Sequence, residues 1–160
     1  MLEQFLISPN GYELFIRLIV AALLGLLIGT ERKIAHPEQA AGMRTFALIA
    51  LSAALFAVIG EQVGMSVPPF SPIAVANVLA TVISGIGFIG AGLIFLKHDH
   101  VNGLTTAAGL WVTAGIGMAA GLGFYILATF TTVLAIVILG IVSSVENRLI
   151  PESEKDIKKR

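Results

Sequence analysis

The chain contains no cysteine, which excludes disulfides, thiolate metal sites and cysteine nucleophiles. Charge is nearly as scarce. Only 12% of the 160 residues are Asp, Glu, Lys or Arg, about half the usual share in a globular domain. The ten basic and ten acidic residues cancel, so no net field recruits a polyanion, and no nucleic acid is expected as a partner. Residues 1–10 hold no basic residue. A secretory signal needs a positive n-region, so the first apolar segment is read as a permanent helix.

What remains is apolar: 56% of the residues, with a mean hydropathy of +0.92. A spanning helix needs about 20 mostly apolar residues, and five segments qualify: 12–29, 43–60, 73–96, 104–123 and 124–145. The fold class is therefore all-α, an integral membrane bundle of five transmembrane helices. The transmembrane domain covers 1–145, and a short charged tail covers 146–160. His36-Pro37 and Val67-Pro68-Pro69 break the first two loops. A turn at Gly121-Leu122-Gly123 is required, because an unbroken fourth and fifth segment would be about twice as long as a bilayer accommodates.

Every lysine and arginine except Arg17 falls in or at the edge of the first loop, the third loop or the tail. With five spans these regions share one side, so the positive-inside rule predicts the N-terminus outside and the C-terminus in the cytoplasm. Arg17 lies inside the first span, four residues after Glu13. That spacing permits an ion pair on one helix face, and the long side chain also permits snorkelling to the outer interface.

Glycine is concentrated where helices cross lipid. Ala21, Gly25 and Gly29 recur every four residues, as do Gly109, Thr113, Gly117 and Gly121. Small residues let backbones approach in a membrane, where apolar helices have no hydrophobic reason to associate. The same role is expected of Gly85, Gly87, Gly90 and Gly92, which would place the third helix at the bundle centre against helices one and four. Gly85 to Gly90 also fits G-x-G-x-x-G, but a dinucleotide site needs a soluble βαβ unit. No cofactor is expected.

Four blocks in order carry a resemblance: Gly25 to Arg32, Ala41-Gly42-Met43-Arg44-Thr45, Ser84 to Gly92, and Gly103 to Trp111. In these blocks the chain resembles the MgtC/SapB family of multi-pass bacterial inner-membrane proteins. The resemblance implies about five spans and a part in adaptation to magnesium limitation, acid or host stress. Two functions agree with it. One is regulation of, or interaction with, other inner-membrane proteins; the other is oligomeric transport of an ion or small solute.

The polar groups at the cytoplasmic ends form the candidate functional cluster: Glu31, Arg32, Arg44, Thr45, Thr105, Thr106 and Trp111. They either converge on a site beneath the third helix or serve as headgroup anchors, helix caps and filler. Mg²⁺ dehydrates reluctantly and favours several oxygen ligands. The spans and their borders offer only Glu13, Glu31, Glu61 and Glu146, so one protomer is poorly equipped for magnesium, and a homo-oligomer would be needed to gather copies of Glu31. Lys97-His98-Asp99-His100, with His36, reads first as a solvated loop and second as a pH or metal sensor. No nucleophile, base and orienting group occur together, and no enzymatic activity is expected.

Overall fold

The computed structural model describes residues 9–35, 41–66, 72–97 and 100–149. Five helices occupy nearly all of it: α1 (Pro9–Ala35), α2 (Met43–Ser66), α3 (Pro72–Leu93), α4 (Leu104–Gly121) and α5 (Tyr125–Leu149). The first four are long and apolar enough to cross a membrane, and Tyr125–Ile141 adds a shorter apolar helix within α5. The third span ends at Leu93 rather than Leu96. Phe95–Lys97 forms strand β1, paired antiparallel with β2 (His100–Asn102). An apolar triplet reads alike as the end of a helix or as a strand, so hydropathy alone extends the span. At the C-terminus α5 runs past Val145 to Leu149; the rest of the tail, His98-Asp99 and His36 lie outside the described residues.

The centre of the bundle is α2. It packs against α1, α4 and α3, while α5 packs on α4 and α1. Glycine makes the central trio possible. A Cβ at Gly25 would lie 2.6 Å from the Phe46 carbonyl oxygen, and one at Gly29 would lie 2.7 Å from the Met43 Cα. On α4, a Cβ at Gly121 would lie 2.5 Å from the Ala54 carbonyl oxygen, and Gly117 sits closer still to that of Ala50. Backbone therefore meets backbone along α1–α2 and α2–α4, the small-residue packing expected in lipid. Phe46 is fully buried between these faces, with its ring against Gly109.

The expectation for α3 needs correction. Only Ile86 and Gly90 of this helix are buried, and α3 lies at the periphery on α2 and α4. A Cβ at Gly85, Gly87 or Gly92 would meet nothing within 4 Å among the described residues, and one at Gly90 would make an ordinary 3.5 Å contact with Ala107. Glycine content marks a helix that something can approach closely. It does not say that the neighbour belongs to the same chain.

Two turns demand glycine. Gly103, at φ 86° before α4, packs against the Leu93 carbonyl so closely that no Cβ fits. Gly123, at φ 82° between α4 and α5, takes part in a tight turn: Gly123 N donates to the Ala120 carbonyl (3.0 Å) and Phe124 N to that of Ala119 (2.8 Å). Left-handed backbone of this kind favours glycine. The required hairpin between the fourth and fifth helices forms at this point.

Candidate functional site

At one end of the bundle Arg17 gathers three helices. Its position four residues after Glu13 puts both side chains on one face of α1, and Arg17 Nη2 donates to Glu13 Oε1 at 2.7 Å. Nη1 reaches across to Glu61 Oε2 near the end of α2 and donates to the Gly121 carbonyl at 3.1 Å. That carbonyl belongs to the last turn of α4, where the unpaired oxygens carry partial negative charge and favour a cation. The Arg17 side chain is only 12% exposed. Two carboxylates and a helix terminus thus surround one guanidinium. The Glu13 pairing was expected; Glu61, 44 residues away in sequence, was not. Its signal was a lone acid at the far end of the second span, level with a lone arginine in the first.

At the other end, α1 finishes where α2 and α4 begin. The expected cluster divides there. Arg32 is 1% exposed and Thr106 is also buried; Glu31 and Thr45 are half-buried. Arg32 Nη1 lies 3.9 Å from Glu31 Oε2, an oxygen that is buried and accepts no hydrogen bond among the described residues. Arg44 and Thr105 are exposed, and Trp111, 54% exposed, faces outward instead of filling the bundle. Helix geometry explains the split. Trp111 is one residue past Leu110, which is fully buried, and one step along the helix turns a side chain by about 100°, enough here to carry Trp111 off the packed face. The structure therefore places Glu31, Arg32 and Thr106 toward the interior and turns Arg44, Thr105 and Trp111 away.

Between α2 and α3 runs a groove of about 510 Å³, lined by Ser52 and Phe56 on one side and by Asn77, Thr81, Gly85 and Ile89 on the other. Ser52 donates to the Ile49 carbonyl at 3.1 Å and Thr81 to that of Asn77 at 2.9 Å. Both hydroxyls therefore satisfy their own helices. Among the described residues no group of three or more His, Asp or Glu side chains is arranged to hold a metal ion.

Apolar helices closed by glycine contacts, with ionic groups at their ends, define a polytopic integral membrane protein. The sequence model of the MgtC family matches residues 18–148, and the chain belongs to this family. It is a multi-pass protein of the bacterial inner membrane. It is 37% identical to YhiD of Escherichia coli strain K12, a candidate magnesium transporter by its name, over 86% of this chain and 64% of YhiD. It is 41% identical to MgtC of Salmonella typhimurium strain LT2 over 69% of this chain and 42% of that protein. MgtC of Brucella abortus strain 2308 is 42% identical over 74% of this chain and 46% of its own length. The chain thus spans less than two thirds of the length of these relatives. No solved structure matches it.

Proposed function

We propose that the chain is a non-enzymatic regulator in the inner membrane, serving adaptation to magnesium limitation, acid or host stress by contact with other membrane proteins. Its N-terminus lies outside and its C-terminus in the cytoplasm, the orientation favoured by the basic loops. Arg17 and Glu61 then face the outer side, and Glu31 and Arg32 the cytoplasm.

The observation that carries this reading is the character of the core between the two ionic ends. They are separated by roughly 22 Å, fifteen residues of α1 at about 1.5 Å each. The intervening buried residues include Ala21, Leu24, Ile28, Ala53, Ala54 and Ala114. Two buried hydroxyls in the interior, Thr113 and Thr132, donate to carbonyls of their own helices. A hydrated cation needs oxygen ligands along its way, and this core supplies few. What the bundle offers its surroundings is surface.

A transporter is the second reading. It is favoured by the name given to YhiD and by the buried oxygen of Glu31 at the cytoplasmic end. Purified protein in liposomes loaded with a magnesium-sensitive dye separates the two. Regulation predicts no Mg²⁺ flux above that of protein-free vesicles, alongside restored growth of a deletion strain on low magnesium. Flux that disappears with Glu31→Ala would overturn it in favour of transport.

A further inference from the structure

Strands β1 and β2 form a small hairpin at the Glu31–Arg32 end of the bundle, between α3 and α4. Each strand has three residues. Among the described residues they pack chiefly on each other and on no helix to a comparable extent. A lone two-stranded hairpin is marginally stable at best in water; it needs another strand or a surface over its apolar face.

The register gives this hairpin such a face. Phe95 pairs with Asn102, Leu96 with Val101 and Lys97 with His100. Successive side chains point to opposite faces, so Leu96 and Val101 share one face and stand directly opposite each other, close enough to make a single aliphatic patch. Leu96 is 75% exposed and Val101 59%. The other two pairs occupy register positions of the opposite face. Phe95, the one apolar residue among them, lies at the root, two residues past the end of α3.

The helices set where this patch lies relative to lipid. The 22 residues of α3 span about 33 Å, close to the roughly 30 Å hydrocarbon core. Leu93 therefore lies at the edge of the hydrocarbon. Both ends of the hairpin are held there. Ile94 N donates to the Ala91 carbonyl at 3.3 Å, the Gly103 carbonyl accepts from Ala107 N at 2.9 Å, and the Gly103 backbone rests against the Leu93 carbonyl. Three residues of strand reach only about 10 Å, and the polar layer of a bilayer is roughly 5–8 Å deep on each side. The patch thus stays at the depth where surface elements bury their apolar faces among headgroups and upper acyl chains. It also continues the apolar surface of the neighbouring helices, where Ile89 of α3 and Leu104 of α4 are exposed.

We infer that the β1–β2 hairpin is an interfacial foot, whose Leu96–Val101 face inserts into the headgroup and acyl boundary of the adjacent leaflet. Lipid supplies the covering surface that the hairpin lacks. The inference stands in either orientation of the chain, and whether the bundle regulates or transports.

The absence of cysteine allows one probe to be placed at a time. Leu96→Cys, Val101→Cys and, as a reference, Lys33→Cys at an exposed position near the end of α1 are labelled with an environment-sensitive fluorophore in phosphatidylcholine nanodiscs holding one copy each. At 96 and 101, phosphatidylcholine brominated in the upper acyl chain should quench strongly, and aqueous iodide should quench at least about fivefold less than at 33, as interfacial burial requires. Iodide quenching equal to that at 33, with no effect of bromolipid, would put the hairpin in water and overturn the inference. Shielding from iodide without bromolipid quenching would also overturn it, because protein then covers the face. Leu96→Gln with Val101→Thr keeps side-chain size and β-branching while removing apolar character. In nanodiscs it should speed hydrogen exchange of the β1 and β2 amides by roughly tenfold, the scale of one partly buried aliphatic side chain. Exchange unchanged by this pair, with helical circular dichroism retained, would show that lipid does not support the hairpin.

Discussion

Arg17 is the residue on which one end of the bundle turns. Removing one partner of a buried ion pair leaves the other charge uncompensated, at about 3–5 kcal/mol when burial is complete. Because Glu13 is half exposed, we expect Arg17→Gln to cost about 2–4 kcal/mol, read by reversible unfolding in mixed micelles. The double variant with Glu61→Gln should be more stable than Arg17→Gln alone, since it removes the stranded carboxylate; a strictly additive cycle would refute the coupling. Trp111 gives a second test at this scale. It is the only tryptophan and faces outward from α4, so its fluorescence should be strongly quenched by lipids brominated along the acyl chain. Unquenched emission would return it to the interior. The ion cluster around Arg17 was only half legible in the sequence. The Glu13–Arg17 spacing lies within one helix and can be counted, whereas Glu61 is brought to Arg17 by the antiparallel packing of α2 on α1, which no local pattern encodes.

At the scale of elements, the glycines of α1 and α4 and those of α3 make opposite predictions. Gly117→Ala forces a methyl into the Ala50 backbone and should destabilise the bundle by about 1–3 kcal/mol, as overpacking does. Gly87→Ala enters open space and, by helix propensity, should leave monomer stability unchanged or raise it by up to about 1 kcal/mol. Thermal unfolding of the two purified variants decides; similar losses would contradict the peripheral placement of α3. Helix existence was legible from the apolar runs, and the break between α4 and α5 from Gly121-Leu122-Gly123; His36-Pro37 and Pro68-Pro69 lie outside the described residues. Which face of α3 is covered was not. In water hydrophobicity points to the core, but in lipid both faces of a helix are apolar, and small residues mark contact without naming the neighbour. The same limit affected Trp111 and Arg44, whose types suggested a site but whose helical positions turn them outward.

At the scale of the whole molecule, orientation is open to labelling. Ser66→Cys, at the end of α2, should react with a membrane-impermeant maleimide in intact spheroplasts. Lys33→Cys, near the end of α1, should react only after permeabilisation. The reverse pattern would invert the topology. The expected pattern would put the Arg17–Glu61 end outside and the Glu31–Arg32 end inside, so that any partner or solute found in the liposome assay can be assigned to a side.

The glycine contacts that join α1, α2 and α4 have a consequence for how the molecule tolerates change. Where side chains interlock, a new atom is absorbed by turning a rotamer, and the disturbance dies out within a residue or two. Along Gly25, Gly29, Gly117 and Gly121 the touching surfaces are carbonyls and Cα atoms, which have no rotamers to turn. A bulge there is relieved only by shifting an entire helix, and both ends of the bundle register it at once. The trio thus behaves as a single stiff body whose tolerance to mutation is set by translation of helices, not by local repacking.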